Sequence, residues 1–177
     1  ISSITPPALT MTLLLGIGQL GNRYVVAPAQ RSQENRELVK LGVRYGLPYG
    51  VCGYFVYWWI GLPSNLSYTG VTGTYSSFGV PILTMLLIYA AVCEELFFRG
   101  FLFRAAKEVM PTAPAAAIGI AAFVVWHPSL YHDAARLMAL VVGAVLYTYL
   151  THRSGSAVPA ACAHGCFNAT QILLTNM

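Results

Sequence analysis

An apolar stretch of this 177-residue chain contains three charged side chains, Glu94, Glu95 and Arg99. A charge near the centre of a lipid bilayer costs at least about 2.5 kcal/mol, so such residues are usually paired and functional. Glu95 and Arg99 are four residues apart on one helix face, in the favourable order for an ion pair. Glu94 is rotated by about 100° from Glu95 and has no cation beside it on the same helix. Glu94 therefore needs a partner on another helix or a water-filled cavity.

Two histidines and an asparagine lie in later apolar stretches. His127 ends one stretch, and His164 and Asn168 are four residues apart on one helix face. A glutamate and a histidine can hold and deprotonate a water molecule, and a second histidine and an asparagine can donate hydrogen bonds to the oxyanion of a tetrahedral intermediate. These residue types therefore indicate hydrolysis. His132 and His152 lie in predicted loops and have no predicted role.

Other chemistry is open to the same residues. Glu94, His127 and His164 are plausible zinc ligands that leave one coordination position open. Intramembrane glutamate and histidine also build proton relays, so a proton-coupled transporter is a second alternative. Haem held by the two histidines is a third, although no haem motif is present. In a fourth interpretation, the charged residues only hold helices together.

The composition defines the elements that must position these side chains. The chain is 56% hydrophobic and only 9% charged, whereas an average soluble domain carries about 25% charged residues. So few charges cannot cover a soluble surface, which argues against a water-soluble enzyme, a nucleic-acid binder and a disordered chain. The net charge of +4 comes from basic residues that lie mostly between apolar blocks, as they do in membrane-protein loops.

We expect an all-α fold: a polytopic integral membrane bundle of about six transmembrane helices and a short interfacial helix. A helix needs about 20 mostly apolar residues to cross a bilayer, and several charge-free stretches provide them. The amphipathic segment 31–40 is the predicted interfacial helix. The predicted membrane spans are 5–21, 45–62, 80–103, 112–127, 136–151 and 157–174. Residues 1–177 are interpreted as a single membrane domain.

Three motifs follow one another along the predicted spans: Glu94-Glu95-xxx-Arg99, Phe123-xxx-His127 and His164-xxx-Asn168. Together they resemble the signature of the CAAX-processing and bacteriocin-processing proteases, the CPBP or ABI family of intramembrane proteases, which includes the CAAX prenyl endopeptidases. Each motif alone is weak, but their combination on apolar spans is specific. The resemblance implies a catalytic core over 80–175 and variable flanking helices over 1–79.

The resemblance also implies a role for each catalytic side chain. Glu94 would be the general base that activates water, and His127 would share that water. His164 and Asn168 would form the oxyanion site. Because an asparagine suits oxyanion binding better than metal binding, a metal-independent, glutamic-type protease is favoured, with no cofactor. Zinc held by the set named above is the alternative.

Three further residues would support the site in this family. Glu95 and Arg99 would brace the helix, and Phe123 would pack beside His127. The implied partners are the lipid bilayer and a membrane protein or peptide substrate with a lipidated tail or a C-terminal sorting tail, and nucleic acid is not expected. The expected location is the inner membrane of a bacterium or archaeon, in a multi-pass arrangement. A non-catalytic immunity or scaffold protein and a proton-coupled transporter are the alternative functions.

Overall fold

The computed structural model describes residues 32–60, 79–127 and 133–175, and every regular element in these ranges is helical. The all-α class is therefore confirmed for this part of the chain. The elements are α1 Ser32–Trp59, α2 Gly79–Glu95, a π-helical segment Leu96–Leu102, α3 Phe103–Val109, α4 Thr112–Val125, α5 Ala134–Ser154 and α6 Val158–Thr175. The first predicted span, 5–21, lies outside the described residues.

Helix α1 differs from the prediction. The expected interfacial helix, 31–40, and the second expected span, 45–62, form one continuous helix of 28 residues that contains Pro48. The change from polar to apolar sequence near residue 41 contains no residue that must end a helix, since glycine lowers helix propensity without excluding it. A change of polarity therefore marks where the surroundings of the helix change and does not mark its end.

The later helices agree more closely with the expected spans. Helices α4, α5 and α6 match 112–127, 136–151 and 157–174 to within three residues at each end. The span expected over 80–103 is longer in the structure, because α2 continues through the π-helical segment into α3 without a turn between them. Glu94, Glu95 and Arg99 therefore lie on one long, continuous helical segment.

Not every helix in the structure qualifies as a membrane span. Within the described ranges, α5 is the one helix that is both long and apolar enough to span a bilayer by length and composition. Helix α4 is apolar but shorter, with 14 residues. Six transmembrane helices therefore remain a prediction.

Helix α6 packs against α1 through a row of glycines, which we call the glycine seam. The seam consists of Gly42, Gly46, Gly50 and Gly53. A Cβ atom on Gly46 would lie 2.5 Å from the Cα atom of Ala163, so the two backbones are in direct contact there. Gln171 adds a hydrogen bond by donating its amide to the Gly50 carbonyl at 2.7 Å. Close approach through small residues is typical of helix pairs in membranes.

Both ends of α5 are held by capping residues. The Asp133 carboxylate accepts hydrogen bonds from the backbone N–H groups of Ala135 and Arg136, each at 3.1 Å, as an N-cap does. At the other end Gly155 adopts φ +67°, the left-handed conformation that ends many helices. This turn leads directly into α6 and places α5 and α6 side by side, with Tyr147 and Ala160 in their shared core.

Candidate active site

The π-helical segment carries a fully buried ion pair. Arg99 Nη1 donates to Glu95 Oε1 at 3.0 Å, and Arg99 Nη2 donates to the Ala144 carbonyl of α5 at 3.2 Å. Glu95 is the last residue of α2, and Arg99 lies on the wider π-helical turn that follows it. Single π-helical turns occur frequently at functional sites. The pair therefore ties the helix that carries Glu94 to α5.

Phe123 of α4 contacts Arg99 of this ion pair and both histidines. The centre of the Arg99 guanidinium lies 4.2 Å from the Phe123 ring centroid, within the range of a cation–π contact. The same ring lies 4.7 Å from the ring of His127 and 5.8 Å from that of His164. One aromatic ring is therefore in contact with the arginine and with both imidazoles.

His164 is fixed by Glu95 and by an aromatic ring. Its Nδ1 lies 2.9 Å from Glu95 Oε1, and its ring stacks on Tyr147 with a centroid distance of 4.9 Å. An ionised carboxylate can only accept, so Nδ1 carries the hydrogen of this bond. The other ring nitrogen, Nε2, lies 4.0 Å from Glu94 Oε2.

His127 presents the same ring nitrogen to the same carboxylate. Its Nδ1 lies 2.8 Å from the Phe123 carbonyl, which can only accept, so Nδ1 is again the donor. Its Nε2 lies 3.8 Å from Glu94 Oε2. Both Nε2 distances exceed a direct hydrogen bond but suit a bridging water molecule. The Glu94, His127 and His164 side chains are 16%, 19% and 10% exposed, so water can reach them.

Asn168 lies at the edge of a cavity beside the histidines. Its Nδ2 donates to the Leu87 carbonyl of α2 at 3.2 Å. The cavity has a volume of about 50 Å³, enough for a few water molecules. The residues around the cavity are Tyr49, Tyr57, Phe123, His127, Arg136, Ala139, Leu140, Gly143, Tyr147, His164, Phe167 and Asn168.

The zinc alternative fits this arrangement less closely. No group of three or more His, Cys, Asp or Glu side chains in the described ranges is arranged to hold a metal ion. Ligand atoms about 2.0–2.1 Å from a tetrahedral zinc lie about 3.3 Å apart. The two Glu94 distances, 3.8 and 4.0 Å, are wider than this, so His127 and His164 would have to move closer to Glu94.

All seven predicted site residues lie in the described ranges. The structure brings Glu94, His127 and His164 together and places Asn168 one helical turn further along α6. Of the two histidines without a predicted role, His152 is exposed and His132 lies outside the described residues.

Sequence reasoning did not anticipate two parts of the site. It did not find the Glu95–His164 contact, which joins residues 69 positions apart. It also did not identify Tyr147 as part of the site. In the sequence, Tyr147 is marked only by its place in the same apolar segment as Gly143. Neither feature has a local spacing that points to it.

Comparison with known families gives a match over residues 76–170, more than half of the chain, and this part contains every predicted site residue. The matching family is described as type II CAAX prenyl endopeptidase Rce1-like. The chain therefore belongs to this family of membrane-embedded proteases, as its three motifs predicted. No curated protein and no solved structure matches the chain.

Proposed function

We propose that the protein is an intramembrane endopeptidase that hydrolyses a peptide bond near the C-terminal tail of a membrane-associated or lipidated protein or peptide. One observation carries this proposal: Glu94 Oε2 faces the Nε2 atoms of His127 and His164 at 3.8 and 4.0 Å. A carboxylate and two imidazoles separated by about the width of one water molecule can hold that water, and the carboxylate can act as the base that removes its proton. Membership of a CAAX prenyl endopeptidase family supports the same reaction.

The nucleophile in this mechanism is a water molecule held by Glu94 and His127. The water donates one hydrogen to the carboxylate and the other to His127 Nε2, which accepts because Nδ1 already donates to the Phe123 carbonyl. Glu94 takes a proton as the water oxygen bonds to the scissile carbonyl carbon, and the carbonyl electron pair moves to its oxygen. Glu94 then returns the proton to the leaving nitrogen as the C–N bond breaks.

His164 and Asn168 stabilise the oxyanion in this mechanism. His164 Nδ1 donates to Glu95, so a donor at Nε2 requires the imidazolium form, in which both ring nitrogens carry hydrogen. Glu95 Oε1 accepts that hydrogen bond at 2.9 Å and also accepts from Arg99 at 3.0 Å. The Asn168 amide has two donor hydrogens, so the bond to Leu87 is compatible with a second bond to the oxyanion.

The proposed substrate is a prenylated C-terminal tail. The family name specifies a CAAX prenyl endopeptidase, and Cys-a-a-X is a C-terminal prenylation signal. Such a tail places a lipid-anchored, extended peptide at the membrane surface, where a membrane-embedded site can reach it.

The direct test incubates the purified protein in detergent with a farnesylated Cys-a-a-X peptide and maps the products by mass spectrometry. We expect a new C-terminus with the wild type and a loss of rate of at least about 10³-fold with Glu94→Gln, which keeps the volume but removes the base. Glu108→Gln changes an exposed carboxylate on α3 and is the matched control. Wild-type rates in a folded Glu94→Gln variant would overturn the proposal, as would proton flux in liposomes without any cleaved product.

We further propose that the reaction is metal-independent. Elemental analysis should then find no stoichiometric zinc, and a chelator should leave the cleavage rate unchanged. A loss of activity that added zinc restores would instead assign Glu94, His127 and His164 as metal ligands.

A further inference from the structure

One side of α1 changes from basic to apolar along its length. Six exposed side chains follow one another there at intervals of three or four residues, so they form a single strip along the helix. We call this the exposed strip of α1. It consists of Arg36, Lys40, Arg44, Leu47, Val51 and Phe55. The first half of the strip is therefore cationic, and the second half is apolar.

The exposed strip does not pack against the neighbouring helix α6. The glycine seam makes that contact, and at 100° per residue the seam lies about 130° around α1 from the strip. Leu47, Val51 and Phe55 are 46%, 39% and 56% exposed although all three are apolar. This half of the strip is therefore suited to contact with hydrocarbon chains, as on the outer surface of a membrane protein.

Further cations lie at the same end of the helix bundle as the basic half of the strip. Arg153, exposed at the end of α5, interacts electrostatically with Tyr45 of α1. Arg104 of α3 donates a hydrogen bond to the carbonyl of Gly155, in the turn between α5 and α6. Lys107 lies almost one helical turn beyond Arg104 and is exposed. These contacts place the N-terminal part of α1 beside the ends of α3 and α5.

The positive charge at this end is only partly balanced. Glu37 pairs with Lys40 at 2.6 Å, but both side chains are more than 60% exposed. Glu108 is the other carboxylate there among the described side chains, so six Lys and Arg residues are accompanied by two acidic ones. At the opposite end the charges in the described part of the chain are Asp133 and Arg136, which pair with each other at 3.3 Å. The excess positive charge therefore belongs to one end.

We propose that Arg36, Lys40 and Arg44 bind the headgroups of anionic phospholipids. Basic side chains beside a membrane-embedded segment are attracted to an anionic leaflet, by about five-fold in affinity for each cation. Lysine and arginine can keep their charged ends at headgroup level while their stems lie along apolar surface. The occupant is a lipid and not a soluble anion, because the apolar half of the strip continues directly from the cations and offers a surface for acyl chains. The step from Arg44 to Leu47 then marks where α1 enters the bilayer.

The test titrates the purified protein in detergent with dioctanoyl phosphatidylglycerol, dioctanoyl phosphatidylcholine or inorganic phosphate and follows the thermal unfolding temperature. We expect a saturable increase with phosphatidylglycerol alone, because a ligand that binds the folded state stabilises it. A variant with Arg36→Gln, Lys40→Gln and Arg44→Gln should need about 10²-fold more phosphatidylglycerol for half of the increase. High salt should weaken binding to the wild type, because these charges are exposed.

Two single variants serve as matched controls. Glu37→Gln removes the carboxylate beside Lys40, so it should lower the concentration of phosphatidylglycerol needed. Lys107→Gln removes an exposed cation outside the strip and should change that concentration by less than about two-fold. All of these side chains are exposed, so the variants should fold, and their unfolding temperatures in phosphatidylcholine check this.

The outcomes do not depend on the proposed function, because the measurement is unfolding and not peptide cleavage. Equal increases with phosphatidylglycerol and phosphatidylcholine would overturn the proposal, as would a triple variant that binds phosphatidylglycerol like the wild type. An equal increase with inorganic phosphate would mean that the cations bind soluble anions and not lipid. If Lys107→Gln weakens binding as much as Lys40→Gln does, the overall charge of the protein and not the strip determines the effect, and the proposal fails.

Discussion

Helix α6 contacts its neighbours in two different ways on two of its faces. Toward α1 it offers backbone and small side chains, and Ala163 lies against Gly46 so closely that no Cβ fits between them. Toward α2 and α4 it offers His164 and Asn168, which approach the Glu94 side of the molecule through polar contacts. The glycine seam carries no charge, whereas the polar face depends on the buried pair of Glu95 and Arg99.

The two faces have different roles: one determines the position of α6, and the other determines the orientation of the His164 ring. Steric contact along the glycine seam determines how far α6 lies from α1, and it uses no directional bond at Gly42 or Gly46. The Glu95–Arg99 pair determines which way the His164 ring faces, through one hydrogen bond at 2.9 Å. Damage to the seam should therefore lower stability first, whereas damage to the polar face should lower stability and catalysis together.

The largest expected effect comes from removing one half of the buried pair. Arg99→Met keeps an unbranched side chain but leaves the Glu95 carboxylate buried without its cation. Breaking such a pair costs about 3–5 kcal/mol of unfolding free energy, and the freed carboxylate can no longer hold His164 in one orientation. We expect a large drop in the thermal unfolding temperature in detergent and the loss of peptide cleavage.

A double variant tests whether the loss of stability comes from the unpaired charge of Glu95. Glu95→Gln combined with Arg99→Met removes both charges, so it should recover much of the lost stability without recovering activity. Arg153→Met removes an exposed arginine and should change the unfolding free energy by less than about 0.5 kcal/mol. A single Arg99→Met variant as stable as the wild type would contradict the assignment of the polar face to this pair.

A smaller loss of stability is expected from a substitution in the glycine seam. A Cβ atom on Gly46 would lie 2.5 Å from Ala163 Cα and 2.6 Å from its carbonyl oxygen, both backbone atoms that cannot rotate away. Gly46→Ala should therefore push α1 from α6 and cost about 1–3 kcal/mol, the usual range for overpacking. The measurement is thermal unfolding in detergent, with the cleavage rate below the unfolding temperature as a second readout.

Gly53 provides the matched control for Gly46. A Cβ there would lie 3.1 Å from Cε2 of Phe167, the far end of a side chain that can shift. Gly53→Ala should therefore cost clearly less than Gly46→Ala. Helix propensity favours alanine at both positions. Equal costs would therefore mean that the backbone contact with Ala163 does not determine the effect, and the steric account of the seam would be wrong.

The sequence predicted the parts of the molecule that are coded locally. The apolar span expected over 136–151 lies within α5, Ala134–Ser154, whereas the caps Asp133 and Gly155 that set its ends were not predicted. The pairing of Glu95 with Arg99 follows from the i,i+4 spacing. Membership of the protease family was also predictable, because its three motifs are short and contiguous.

The remaining features depend on contacts between distant residues. The three atoms nearest to a Cβ built on Gly46 all belong to Ala163, more than 100 positions away, and nothing near residue 46 indicates this contact. The π-helical segment Leu96–Leu102 has no sequence signature of its own, since the same residues are compatible with an α-helix. The place of Arg136 in the cavity lining depends in the same way on how distant helices pack, and no local spacing predicts it.

The smallest expected effect lies at the turn between α5 and α6, which belongs to neither face. Gly155 has φ +67° and no atom within 4 Å of a Cβ built on it, so Gly155→Ala introduces backbone strain without any steric clash. That strain costs about 1 kcal/mol for an L-residue in the left-handed region. We expect a small decrease in the thermal unfolding temperature and an unchanged cleavage rate, because Glu95 and Gly46 still hold α6 from both sides. A decrease larger than that of Gly46→Ala would mean that this turn, and not the glycine seam, determines where α6 lies.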